Sequence, residues 1–278
     1  MARAYRHFIS GYAWHLTHRC HKREFLLKFA KDKQRWMYWL FEAKKRFGLC
    51  VLNFTVTSNH VHLLIYDTGN GNETIPKSIQ LIAGKTGQEF NSRKDRKGAF
   101  WQDRYHATAV ATDDHLIRCM VYIDLNMVRA GVVKHPEDWP FGGYRYILAP
   151  PKRYRLTDNK KLMALMNIRE SDGFRETYRN WVDSAIMQGD IKKQPLWTEG
   201  IAVGDKVYVE KVKDQMGYKA IGRKVIENRD SFVLKEQQAS YQRNSDRAIR
   251  VQPEDNTIRW QNGPENHPDS NMSLEGSF

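Results

Sequence analysis

The chain reads as an α+β protein built on a ferredoxin-like split βαβ unit, an antiparallel sheet with helices on one face. Three observations predict this. Strand-like and helix-like runs alternate over the first 150 residues in the order β-α-β-β-α-β. Only Ser58-Asn59 separates the two middle strands, which makes them a hairpin. Glycines stand where two of the helical patterns stop, at Gly48 and Gly131. The unit leaves one sheet face uncovered by its own helices, so that face is open to a site or a nucleic acid.

Each element has its own signal. Phe8 to Thr17 is aromatic and β-branched and predicts a first strand. Asp32 is placed to cap a helix over 33–47, in which Trp36, Trp39, Leu40, Ala43 and Phe47 recur at helical spacing. Leu49 to Thr57 predicts the second strand and His60 to Tyr66 the third. A second helix is expected from Pro76 to Phe90. Strand signal returns in Ala99-Phe100-Trp101 and in Tyr105 to Val110. A further helix spans 113–130, capped by Thr112 or Asp113. Residues 151–243 read as a mostly helical extension, with a helix over 204–216, and 244–278 as a poorly ordered tail.

Composition narrows the function. The 278 residues are 41% hydrophobic, enough for a core, and carry a net charge of +13, which favours a polyanionic partner, nucleic acid first. No apolar run approaches the roughly 20 residues that cross a bilayer, so no membrane role is expected. The three cysteines form no CxxC pair, which fits a reducing cytosol.

Chemistry concentrates in two places. In Asn59-His60-Val61-His62-Leu63-Leu64-Ile65 the histidines are two apart, so on a strand both imidazoles leave the same face. Such a pair is a half-shell for a divalent metal. In the 113–130 helix, Leu116, Ile117, Met120, Val121, Leu125 and Val128 are apolar, while His115, Arg118, Tyr122, Asn126 and Arg129 share another stripe at steps of three and four. Tyr122 and Asn126 lie one turn apart. The Asn126 amide is placed to complete the metal shell begun by His60 and His62, with the Tyr122 phenol beside it and Arg118 and Arg129 ready for phosphate oxygens.

These residues resemble the HUH single-tyrosine transposases, in their REP-associated branch. Ser58-Asn59-His60-Val61-His62-Leu63-Leu64 is similar to that family's His-hydrophobe-His motif. Val121-Tyr122-Ile123-Asp124-Leu125-Asn126-Met127-Val128-Arg129-Ala130-Gly131 is similar to its nucleophile helix. Ala99 to His106 and Thr17 to Phe25 resemble the flanking segments, all in the family's order. One departure is Met127, where the family usually has proline; methionine lets the helix continue.

The resemblance implies a nuclease/transposase domain over 1–150. It implies Tyr122 as nucleophile, His60, His62 and Asn126 as ligands of Mg or Mn, and a 5′-phosphotyrosine intermediate on single-stranded DNA near a hairpin. It also implies a cytoplasmic, nucleoid-associated enzyme, either a transposase or a domesticated REP-processing enzyme, monomeric or homodimeric. The alternative expectation is a non-catalytic nucleic-acid binder on the same sheet. Arg19, Lys22 and Arg23, and the basic loop holding Arg93, Lys94, Arg96 and Lys97, are candidate DNA contacts. His15, His18 and His21 with Cys20 match no closed zinc shell and are assigned surface or DNA-contacting roles. Trp101 is assigned to the core rather than to base stacking.

Overall fold

The computed structural model describes residues 8–112, 114–169, 171–189 and 192–236. The Asp113 cap and the tail expected over 244–278 lie outside the described residues. The strands are β1 (Ala13–Arg19), β2 (Cys50–Val56), β3 (His60–Tyr66), β4 (His106–Val110), β5 (Ala202–Gly204), β6 (Arg223–Asn228) and β7 (Ser231–Glu236). The helices are α1 (Ala30–Phe47), α2 (Gly71–Arg93), α3 (Asp114–Asp124), α4 (Asn126–Arg129), α5 (Tyr144–Leu148), α6 (Asn159–Leu165), α7 (Ser171–Met187), α8 (Leu196–Glu199) and α9 (Lys206–Met216).

Among the described residues these strands form one sheet, in the order β2-β3-β1-β4-β5-β7-β6. Its first four strands, with α1 and α2, are the expected split βαβ unit, antiparallel throughout. The extension then adds β5 parallel to β4, and the β6–β7 hairpin beyond it. Those three strands are absent from the sequence reading.

Alternation of side chains across the sheet separates two apolar layers. On one face Trp14, Leu16, Phe54, Val61, Leu63 and Ile65 meet Trp36 and Leu40 of α1 and Ile79 and Ile82 of α2. Arg35 and Glu89 tie the two helices together through a two-point ion pair. On the other face Ala13, Leu64 and Val110 pack with Leu116, Met120 and Ile123 of α3 and with Tyr144, Phe174, Tyr178 and Trp197. The face left bare by α1 and α2 is thus covered by α3 and the extension, except at the end where β1 stops and β3 starts.

Several element limits differ from expectation. β1 begins at Ala13 rather than Phe8, although Phe8, Ile9 and Tyr12 are buried. Helix α1 begins at Ala30, so Asp32 is not its cap; the carboxylate lies in the first turn and pairs with Arg93. Helix α2 runs past Pro76 in both directions, and the Phe100-Trp101 segment makes only a single bridge, Trp101 to Cys20. The expected helix over 113–130 is divided at Leu125, where ψ opens to 3°. The carbonyl of Tyr122, one turn earlier, accepts a hydrogen bond from the Arg129 guanidinium at 3.2 Å. Met127 is buried just after the break and does not carry the helix beyond Arg129.

Candidate functional site

Strand register assembles the site. Arg19 faces His60, Thr17 faces His62 and His15 faces Leu64 across β1 and β3, while Thr17 and His15 face His106 and Thr108 on β4. His15, Thr17, Arg19, His60, His62 and His106 therefore project from one face. The face expected for the two histidines of β3 is correct: their ring centroids lie 5.0 Å apart.

The α3–α4 break delivers the other half. Tyr122 is 5% exposed, and its ring centroid lies 5.9 Å from that of His62 in the same chain. Asn126 opens α4 and holds its amide nitrogen 3.0 Å from His62 Nε2. The Arg129 guanidinium sits 4.4 Å from the centre of the Tyr122 ring, a cation–π contact. Helix α3 is locked onto β2 just before the break. The buried Asp124 carboxylate takes a hydrogen bond from Asn53 Nδ2 at 3.0 Å and another from the Tyr178 hydroxyl.

Protonation follows from burial. Desolvation lowers His15 to about 3 and His60 to about 4, and lowers His62 well below its usual range. All three rings are neutral at physiological pH. Burial also raises the Tyr122 phenol, against which Arg129 acts as the nearest lowering charge.

The tautomer of His60 can be read from its partners. The Thr57 hydroxyl donates to the His60 carbonyl at 2.8 Å, so toward His60 Nδ1, 2.9 Å away, it can only accept. Asn59 Oδ1, 2.8 Å from the same nitrogen, is also an acceptor. His60 Nδ1 therefore carries the proton and Nε2 is a bare lone pair.

These groups line a cleft of about 570 Å³. Arg19, Arg23, Arg104, Arg129 and Lys193 surround it, against Asp103 and Glu199. Arg118 lies elsewhere, on a smaller pocket behind Tyr122 that Trp181 and Leu125 also line. Lys22 is exposed on the turn after β1. Arg93, Lys94, Arg96 and Lys97 do not line the cleft: Arg93 pairs with Asp32, Lys94 sits over the Phe29 ring, and Arg96 reaches Glu24 and the Ala99 carbonyl.

His15 departs most from expectation. It is not a surface or DNA-contacting residue but fully buried, with Nε2 2.9 Å from His62 Nδ1 and Nδ1 2.8 Å from the Trp197 carbonyl. The signal was present in the period-two spacing of His15, Thr17 and Arg19, which puts them on the face opposite Trp14 and Leu16, as the same spacing puts His60 and His62 opposite Val61. His18 lies on the opposite face, stacked on Trp101 at 4.1 Å. Trp101 is half-buried and donates to the Ala83 carbonyl, so it packs against the core and carries a ring stack at once.

Residues 8–126 match the family model described as transposase, IS200-like. The match covers less than half of the chain, and this segment is similar to that family. It holds His15, His60, His62, Tyr122 and Asn126, and it stops at the first residue of α4. Arg129, Lys193 and Trp197 thus come to the site from outside the matched residues. Among solved structures, a REP-associated tyrosine transposase bound to a REP hairpin is 22% identical, with 57% of this chain and 94% of that one covered and a TM-score of 0.45. A candidate transposase from Deinococcus radiodurans R1 is 17% identical, with 49% and 96% covered and a TM-score of 0.31. No curated protein matches the chain.

Among the described residues no group of three or more His, Cys, Asp or Glu side chains is arranged to hold a metal ion. The donor set of the cleft is of another kind: two neutral imidazoles and an amide. Such a set fits a divalent cation if the Asn126 amide turns to offer its oxygen.

Proposed function

We propose that this chain nicks and rejoins single-stranded DNA near hairpins, through a 5′-phosphotyrosine intermediate on Tyr122. The observation that carries the reading is the meeting, within one chain, of His60, His62, Asn126 and Tyr122 at one end of a basic cleft. The similarity of residues 8–126 to IS200-like transposases supports this reaction class.

In this reading the phenolic oxygen of Tyr122 attacks the scissile phosphorus. An O–P bond forms to tyrosine, the bond to the 3′ oxygen breaks, and the departing strand leaves as a free 3′-OH. Reversal by a 3′-OH rejoins DNA without a nucleotide cofactor, because the linkage keeps the phosphodiester's free energy. A Mg or Mn ion held by His60, His62 and Asn126 would polarise a non-bridging phosphate oxygen. Arg129, over the ring of Tyr122, favours the developing phenolate electrostatically. Arg19 and Arg23 line the approach and neutralise backbone phosphates. Arg118, Lys22 and the 93–97 loop stand outside the cleft and act on the flanking strand or through long-range attraction.

The test is a covalent adduct. Hairpin oligonucleotides with single-stranded 5′ flanks, incubated with the protein and Mn, are expected to give a band of protein-linked DNA on a denaturing gel. Tyr122→Phe is expected to remove that band while leaving oligonucleotide binding within a few-fold of wild type. No adduct from the wild type across a broad set of flanks would favour a non-catalytic binder. An adduct that survives Tyr122→Phe would place the nucleophile elsewhere.

A further inference from the structure

We infer that His15 is a positioning residue for His62, and that the Trp197 carbonyl in the extension sets, through His15, which nitrogen of His62 is free. The use of that nitrogen as a ligand rests on the function proposed above; the position of the proton does not.

The argument follows the hydrogen bonds outward from the carbonyl. A peptide oxygen has no proton to give, so the His15 nitrogen 2.8 Å away, Nδ1, must be the donor. His15 is fully buried, and the desolvation keeps its ring neutral, so a proton on Nδ1 leaves Nε2 bare. That bare nitrogen lies 2.9 Å from His62 Nδ1 and accepts its proton. His62 is left with a lone pair on Nε2, which is the nitrogen that meets Asn126 at 3.0 Å on the cleft wall. The two rings lie nearly coplanar, at an interplanar angle of 14° with centroids 5.0 Å apart, so neither turns without losing its partner.

Two independent devices thus reach one result. Thr57 and Asn59 hold the proton of His60 on Nδ1, and the Trp197–His15 relay holds that of His62 on Nδ1. Free histidine favours the opposite tautomer, with the proton on Nε2. For His62 the device reaches outside the family-matched residues, because Trp197 lies beyond Asn126 in the segment that leads into β5. Ligand histidines are oriented in this way when the second ring nitrogen donates to a fixed acceptor.

The experiment uses the full chain labelled with 15N and freed of metal. Two-bond proton–nitrogen correlation spectra of the histidine rings are expected to show His62 with a protonated Nδ1 and a bare Nε2. In His15→Phe the proton is expected to move to Nε2, and Mn(II) binding, measured by calorimetry with the metal alone, to weaken about tenfold or more. His15→Gln keeps an amide N–H for Trp197 and an oxygen for His62, and is expected to restore both readouts. A purely structural role for His15 would lower the melting temperature without moving the proton. A wild-type His62 that already carries its proton on Nε2 overturns the inference, as does a folded His15→Phe with the wild-type tautomer. If His15→Phe does not fold, the wild-type and His15→Gln spectra decide. Mn(II) binding left unchanged by His62→Ala would refute the metal reading alone, leaving the tautomer result standing.

Discussion

At the scale of single residues, the site depends on polar atoms that were taken out of water together with their partners. Asn53 is the clearest structural case. Its amide nitrogen reaches Asp124 from the second strand, and its oxygen accepts the backbone N–H of Phe54 at 2.8 Å. Replacing it by alanine strips a donor from a buried carboxylate, which costs about 1–3 kcal/mol. Urea unfolding of Asn53→Ala should show that loss, with the α3–α4 break loosened alongside. The same logic explains what could be read from sequence. His60, His62, Tyr122 and Asn126 were legible because the two short spacings, i to i+2 and i to i+4, already place them on common faces. For His15 the same period-two spacing gives the face, but not the partner, a carbonyl in a segment 182 positions away. Nothing in a local pattern announces a partner at that distance.

At the scale of elements, propensity and pattern located the first four strands and the long helices of the first 150 residues, but not all their limits, and missed the short helix α5. The β2–β3 hairpin was legible because both strands are rich in β-branched and aliphatic residues and the turn between them is short. The start of β1 was misplaced because Phe8, Ile9 and Tyr12 are buried apolar residues that no neighbouring strand pairs. The one-residue break at Leu125 left no trace in a run whose apolar spacing stays helical through Val128. Strand β5 is only three residues long and is held between β4, in parallel, and β7, antiparallel, so its signal lies in its neighbours rather than in its own residues. The outer edge of β2 is covered by the segment that leads into α5. Val56 donates to the Phe141 carbonyl at 2.9 Å, and Gly143 donates to the Phe54 carbonyl at 2.7 Å. A methyl group on Gly143 would lie 2.1 Å from Asn53 Oδ1 and 3.0 Å from the Phe54 backbone nitrogen. Gly143→Ala should therefore cost about 1–3 kcal/mol through overpacking, read as a lowered midpoint in chemical denaturation.

At the scale of the whole molecule, the net charge of +13 gains a direction. Arg19, Arg23, Arg104, Arg129 and Lys193 surround one opening, so attraction for a polyanion is focused where the chemistry is proposed. Binding of a single-stranded oligonucleotide should weaken as salt rises, with a logarithmic slope of about −0.7 for each phosphate neutralised. Removing one contact, as in Arg19→Ala, should flatten the slope by about that amount; a slope unchanged from wild type would take Arg19 off the DNA path. Lys97→Ala, outside the cleft, should change it less. Among the described residues no helix is long and apolar enough to cross a membrane. The expected extension over 151–243 is proposed as a functional part of the enzyme rather than an appendage, since it supplies Lys193 to the cleft wall and Trp197 to the relay.

Tyr122 and His62 stand side by side in one and the same polypeptide. In the proposed reaction, cutting would then need no second copy to lend a tyrosine. Single-turnover cleavage with protein in excess over a saturating level should proceed at a rate constant that dilution leaves unchanged, and mixing Tyr122→Phe with His62→Ala should yield no cleavage at any ratio. Recovery of activity in that mixture would mean that the strand is cut by tyrosines exchanged between molecules.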